Sequence, residues 1–289
     1  MKGLELGSSL FGKLLKRTRT AIPTGAMFNV GITIILAVVL MAVFAPLISP
    51  YDPTRATPDI LKPPSSSHLM GTNQIGQDIL SRVIYGSRII LMVVLSATII
   101  SMAVGIPLGI YSGFIGGRAD RTLSMVMDSI YAFPSLILAI AIASVLGPSP
   151  LNTAISLAVV YIPTYYRMTR GQTLSLREQL FVEAARSMGA RKLYIMRKHI
   201  LPNLLPTVLV VFTLSAADAI ITEAGLSYLG LSVTPPTPDW GYDLRAGQGY
   251  FTTGYWWISF FPGLMITLLA LGFALVGEAM GEKISIASK

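Results

Sequence analysis

Charged residues disappear from this chain for long stretches and return in short clusters. A helix that crosses a bilayer needs about 20 mostly apolar residues. No charge falls between Arg19 and Asp52, and Met27–Ile48 reads as a first span. The charge-free stretch from Arg88 to Arg118 holds a second, Ile89–Tyr111. Asp128 to Arg167 is too long for one helix, and Gly147-Pro148-Ser149-Pro150 divides it into Ile130–Leu146 and Leu151–Tyr166. Leu204–Ile221, which contains Asp218, and Ile258–Val276 give a fifth and a sixth. Tyr255-Trp256-Trp257 leads into the last as an interfacial aromatic belt. The pattern predicts an all-α polytopic membrane protein of about six transmembrane helices.

Composition supports this reading. Of 289 residues 53% are hydrophobic and 12% charged, about half the charge of a soluble domain. The net charge of +8 raises nucleic acid as a partner, but the basic residues lie between apolar runs rather than on one folded face, so none is expected. With both termini on one side, that side holds 17 of the 22 Lys and Arg residues; only Arg55, Lys62, Arg82, Arg88 and Arg245 fall on the other. The termini are therefore expected in the cytoplasm, with the chain embedded in the plasma membrane bilayer. The first span is too long for a signal sequence and no small-residue cleavage site follows Pro46, so it is expected to be retained.

This divides the chain into a cytoplasmic segment 1–26, the first span 27–48, an external loop 49–87, a five-helix core 88–280 and a cytoplasmic tail 281–289. Within the core lie a cytoplasmic loop 167–203 and a second external loop 223–254. Loops of this length are usually functional. In the cytoplasmic one, Ser175 and Glu178 have capping-box spacing, which predicts a helix start there. Gly189 suits a left-handed helix end. A second helix, Arg191 to Ile200, is expected to stop at Pro202. Ala184 and Ala185 would keep one face thin enough for close approach by a partner. On physics alone, such an elbow serves equally as a basic amphipathic helix on anionic lipid.

Glu183-Ala184-Ala185, then Gly189, then His199-Ile200-Leu201-Pro202 closely resembles the EAA loop of ABC importer permeases. The His-Ile-Leu-Pro-Asn form is similar to the peptide/nickel branch. Two further segments, Met70–Arg88 and Glu223–Gly241, resemble the C-type dipeptide/oligopeptide permeases. The resemblance implies the fold of type I importer permeases. It also implies a complex with a homologous second permease, two ATPases and an extracytoplasmic solute-binding protein. The loop would be the coupling helix docked on an ATPase through Glu183, Ala184, Ala185, Arg186, Gly189, Arg191, His199, Leu201 and Pro202. ATP and Mg would be bound by those partners, and Glu183 is expected to make a charge-assisted contact with a basic group there or within the elbow.

Other residues invite a role. Asp218, an ionisable group at membrane depth, either lines the solute path or pairs with a neighbouring helix. Asp128 is expected to sit at a helix start, where carboxylates are favoured. Gly105, Gly109 and Gly113 have the spacing of close helix contacts, and Pro107 would kink their helix. Tyr228, Trp240 and Tyr242 are candidates for an outer gate or a binding-protein contact. Catalysis by this chain is not expected: there is no Gly-x-x-x-x-Gly-Lys-Ser/Thr and no His-Glu-x-x-His, and the two histidines, His68 and His199, fall on opposite sides. Zero cysteines excludes thiolate metal sites and disulfides. The alternatives are the same machinery carrying nickel or short oligosaccharides, or an ion-coupled secondary transporter.

Overall fold

The computed structural model describes residues 25–287, and every regular element among them is a helix. α1 (Ala26–Val43) and the short α2 (Ala45–Ile48) come first. An irregular segment leads to α3 (Ile79–Ile115), followed by α4 (Gly117–Tyr131), α5 (Ser135–Leu146) and α6 (Pro150–Leu176). α7 (Leu180–Ser187) precedes α8 (Lys192–Tyr228), a helix of 37 residues with a π-turn at Met196–Ile200. α9 (Trp240–Phe251) and α10 (Trp257–Ala287) follow. Segment 176–192 marks one end of the bundle, the elbow end; segments 49–78 and 229–256 lie together at the far end.

The centre is made by α3 and α6, which pack backbone to backbone. A Cβ at Gly109 would lie 2.0 Å from Thr169 Oγ1 and 2.5 Å from the Tyr166 carbonyl oxygen. One at Gly105 would lie 2.7 Å from the Ile162 carbonyl oxygen, and one at Gly113 2.8 Å from that of Arg170. The glycine ladder is thus a packing seam, as its spacing predicts. Around it Val93, Leu157, Tyr165, Ile220 and Leu269 fill one apolar core. α1 is peripheral: only Gly31, Val38 and Ala42 are buried, and Leu36, Leu40 and Val43 face outward, as on a lipid-facing helix.

Among the described residues four helices (α1, α3, α8 and α10) are long and apolar enough to cross a membrane, and the bent pair α4 and α5 is a fifth candidate. The expected spans fall on these helices and on α6, with instructive differences. The first breaks at Phe44, because the ring of Pro46 would collide with the Ala42 carbonyl in a continuing helix. The second starts ten residues early, at Ile79, where Asp78 Oδ2 accepts from the Ser81 amide at 2.8 Å. The third is not one helix: α4 and α5 meet at 89° across Phe133-Pro134. Pro134 lacks an N–H and pushes Phe133 out of helical geometry. The 12 residues of α5 reach only about 18 Å, short of a hydrocarbon core of roughly 30 Å. The fourth extends ten residues past Tyr166, to Leu176. Of the aromatic belt, Trp256 is exposed, but Trp257 is buried and donates from Nε1 to the Thr72 carbonyl at 3.2 Å.

Candidate functional site: an elbow and a polar cavity

The elbow is a short helix folded back on the bundle. Ser175 does not cap it. Ser175 lies inside α6, whose apolar packing carries it past the predicted start, and Gln179 is the N-cap of α7 without a side-chain bond. Arg177 fixes the entry, donating from Nη1 to the Gly113 carbonyl at 2.9 Å. The exit is as predicted. Gly189 has φ +79°, and the Ala190 amide reaches the Ala185 carbonyl at 3.0 Å while the Gly189 amide reaches that of Arg186 at 2.9 Å. That pair of bonds is a Schellman turn, which satisfies carbonyls the helix end would leave bare.

Inside the elbow, Val182 and Ala185 are buried against Ile110, Phe114, Ile195, Ile200 and Leu204. Ala185 therefore holds the elbow to its own bundle, and the thin outer face reduces to Ala184. Glu183 and Ala184 are exposed, flanked by the outward apolar side chains of Leu180, Met188 and Leu193. The Arg186 guanidinium lies 5.2 Å from the Phe114 ring centroid, so its charge is partly anchored inward. Arg191 is exposed and caps the start of α8. His199 is half-buried, its ring 5.8 Å from Tyr194 and 6.2 Å from Phe181.

The predicted stop at Pro202 does not occur. Leu201 and Pro202 lie half-buried within α8, and the helix widens to a π-turn just before the proline ring. Widening relieves the clash between that ring and the carbonyl four residues back. Asn203 Nδ2 donates to the His199 carbonyl at 2.6 Å, satisfying a group the turn frees.

A second feature lies between α4, α5, α6 and α8. Asp218 Oδ2 accepts from the Tyr161 hydroxyl at 2.6 Å, the neighbouring-helix pairing that was one of its two readings. Yet Asp218 is exposed in the single chain and lines a cavity of about 270 Å³ with Tyr131, Phe133, Ser135 and Thr164. A wider groove of about 940 Å³ runs along α4, past Asp128, Ser124 and Asp120, with Arg121 and Arg170 also in its lining. Asp128 is not at a helix start. It falls in the last turn of α4 and pairs with Arg167 at 3.2 Å. Asp120, not singled out in the sequence, accepts two bonds from Arg170, at 2.6 and 2.8 Å.

At the far end, the gate candidates separate. Trp240 is fully buried, donates from Nε1 to the Val83 carbonyl at 2.9 Å and packs on Gly86, so it is core and not a gate. Tyr228 and Tyr242 are half-buried; the Tyr228 hydroxyl donates to Gln248 Oε1. Sequence reading missed the groups that hold this end together. Arg82 is buried and donates to Asp243 at 2.7, 2.9 and 3.0 Å, and from Nη1 to the carbonyls of Pro53 at 3.0 Å and Pro236 at 3.1 Å. Burial pushes the Asp243 carboxyl above its ordinary range although the Arg82 guanidinium pulls it down. Asp239 caps α9 through the Gly241 and Tyr242 amides and accepts from the Ser227 hydroxyl. Burial raises its carboxyl too. Glu223, fully buried beside it, accepts from Ser232 Oγ at 2.9 Å. Each of the two carboxyls keeps one buried oxygen without a partner.

Comparison with known proteins places this architecture. Residues 105–285 match the family described as the binding-protein-dependent transport system inner membrane component. The chain belongs to that family. Residues 26–64 also match the N-terminal transmembrane domain of oligopeptide transport permease C. The permease is 40% identical over 259 residues to the di/tripeptide transport system permease protein DppC of Pseudomonas aeruginosa, covering 87% of this chain and 85% of that one. It is 38% identical to the probable D,D-dipeptide transport system permease protein DdpC of Escherichia coli, covering 86% and 84%. Its fold is similar to a chain of the inward-facing methionine ABC transporter MetNI, at 21% identity and a TM-score of 0.56, over 73% of this chain and 98% of that one. The permease is thus a multi-pass membrane component of binding-protein-dependent transport.

Proposed function

We propose that this permease is the C-type subunit of an ATP-driven importer of dipeptides or oligopeptides. It would form the translocation path with a homologous second permease, and α7 would dock on one of two ATPase subunits that bind ATP and Mg. An extracytoplasmic binding protein would deliver the solute to the far end. In this reading the termini and the elbow face the cytoplasm, in keeping with the excess of Lys and Arg on that side. What carries the reading is the outward face of the elbow: Glu183 and Ala184 exposed between Leu180 and Met188, on a helix locked by buried Val182 and Ala185. Relatives at 38–40% identity named as di/tripeptide and D,D-dipeptide permeases support the peptide class.

ATP closes the ATPases on each other, and their movement pulls on α7. A lever transmits displacement only if its joints are stiff. The Schellman turn at Gly189 and the apolar anchor of Val182 supply that stiffness at one end of α7, and Arg177 on the Gly113 carbonyl supplies it at the other. Gly189→Pro tests this directly, because proline fixes φ near −65° where the turn needs +79°. The variant should insert into membranes at normal levels but fail to co-purify with the ATPase subunits. Normal co-purification would count against the lever.

A further inference from the structure

We propose that Asp218 is a binding point for the protonated amine of the passing solute. The inference rests on the permease reading above and adds a ligand chemistry to its path. Asp218 sits ten residues, about 15 Å, inside the far end of α8, within the candidate span Lys192–Tyr228. A carboxylate at such depth is tolerated only where it faces protein or water. In the single chain it is exposed to the cavity, so it is not consumed by packing. Only its Oδ2 is engaged, by Tyr161, whose hydroxyl also lies 3.3 Å from Thr222 Oγ1. Among the described residues no Lys, Arg or His forms an ion pair with it; Arg167, stacked 4.4 Å from the Tyr131 ring centroid, is paired with Asp128.

The rest of the cavity suits an organic cation. Ser135 and Thr164 offer hydroxyl oxygens and Phe133 an aromatic ring, all without charge. An ammonium group can place one N–H on the free carboxylate oxygen, another on a hydroxyl, and its positive surface on a ring. A bare metal ion needs six or more oxygens, and among the described residues no group of three or more acidic or imidazole side chains exists to supply them. The cavity also receives Ser135, the first residue of α5.

This chain has no native cysteine, so a cysteine placed in it can be read against the same complex without that substitution. In the complete importer, Ser135→Cys would be modified with the cationic reagent 2-aminoethyl methanethiosulfonate and, separately, with neutral methyl methanethiosulfonate. The cationic-to-neutral rate ratio should fall about tenfold on adding Asp218→Asn and be retained with Asp218→Glu. An unchanged ratio with Asn, or a cysteine that no reagent reaches, overturns the proposal. Should the Asn variant fail to accumulate, ethylammonium chloride must slow the neutral reagent more than sodium chloride at equal strength; equal slowing overturns it. Uptake of labelled dialanine per ATP should follow the same order of variants. A wild-type complex that ignores dialanine and longer alanine peptides alike refutes the peptide reading, while the thiol ratios still decide the cation site.

Discussion

Single residues decide how the far end is closed. Arg82 is the clearest case: one guanidinium ties α3 to α9 through Asp243 and to two flanking segments through carbonyl oxygens. Removing one member of a buried pair leaves the other charged and bare, which costs about 3–5 kcal/mol. Arg82→Ala should therefore lower the thermal stability of the purified protein sharply, and Arg82→Lys should not restore it, because lysine lacks the fork that reaches four acceptors. A melting temperature close to wild type in either would refute the role. Nothing in the sequence distinguishes Arg82 from the other external basic residues, since its partners lie 29, 154 and 161 positions away. Gly189, by contrast, was legible, because a left-handed helix end is set by its nearest neighbours. Trp240 misled for the opposite reason: an aromatic beside Tyr242 looks like a gate until the thinness of Gly86 lets the indole approach α3 closely.

At the scale of elements, periodicity located the helices but not their limits. Apolar runs mark where lipid or core must be met, and the helices run past them wherever polar residues find partners. α6 continues to Leu176 and α3 begins at Ile79 for this reason. The seam between these two helices gives a sharp test. Gly109→Ala should destabilise the bundle, since the added carbon meets the Tyr166 carbonyl and the Thr169 hydroxyl. Gly171→Ala, where nothing lies within 4 Å, should be neutral or stabilising by about 0.5–1 kcal/mol. Equal melting temperatures for the two variants would dismiss the seam. The break at Phe133-Pro134 was readable from the proline, yet the charge-free run around it outweighed that signal. The cavity at Asp218 lies at that break, lined by Tyr131, Phe133 and Ser135.

For the whole molecule, hydropathy and the distribution of basic residues sufficed for the class of fold, and the elbow motif for its family. How Glu223 meets Asp239 was not legible, because their meeting depends on α9 folding back under α8. The burial of Asp239 shapes the response to pH. Burial raises the Asp239 carboxyl above its ordinary value of 3.8, so the folded state holds a proton the unfolded chain has released. The resulting stability is whole below about pH 3.8 and is lost as pH rises through the folded value. The purified permease should melt at lower temperature as pH is raised from about 4 to about 7. Asp239→Asn, which keeps an oxygen for the Gly241 and Tyr242 amides, should flatten that slope without abolishing it. An identical slope in the variant would contradict the assignment.

The 37 residues of α8 form an unbroken path of roughly 55 Å from Lys192, beside the elbow, to Tyr228, next to the carboxyl pair. A rod of that kind works in both directions. If nucleotide at one end shifts the balance of shapes at the other, then a delivery protein settling on the far end must, by the same free energy, alter how tightly nucleotide is held. Signalling by the cargo and power from the hydrolysing partner then become two readings of a single displacement.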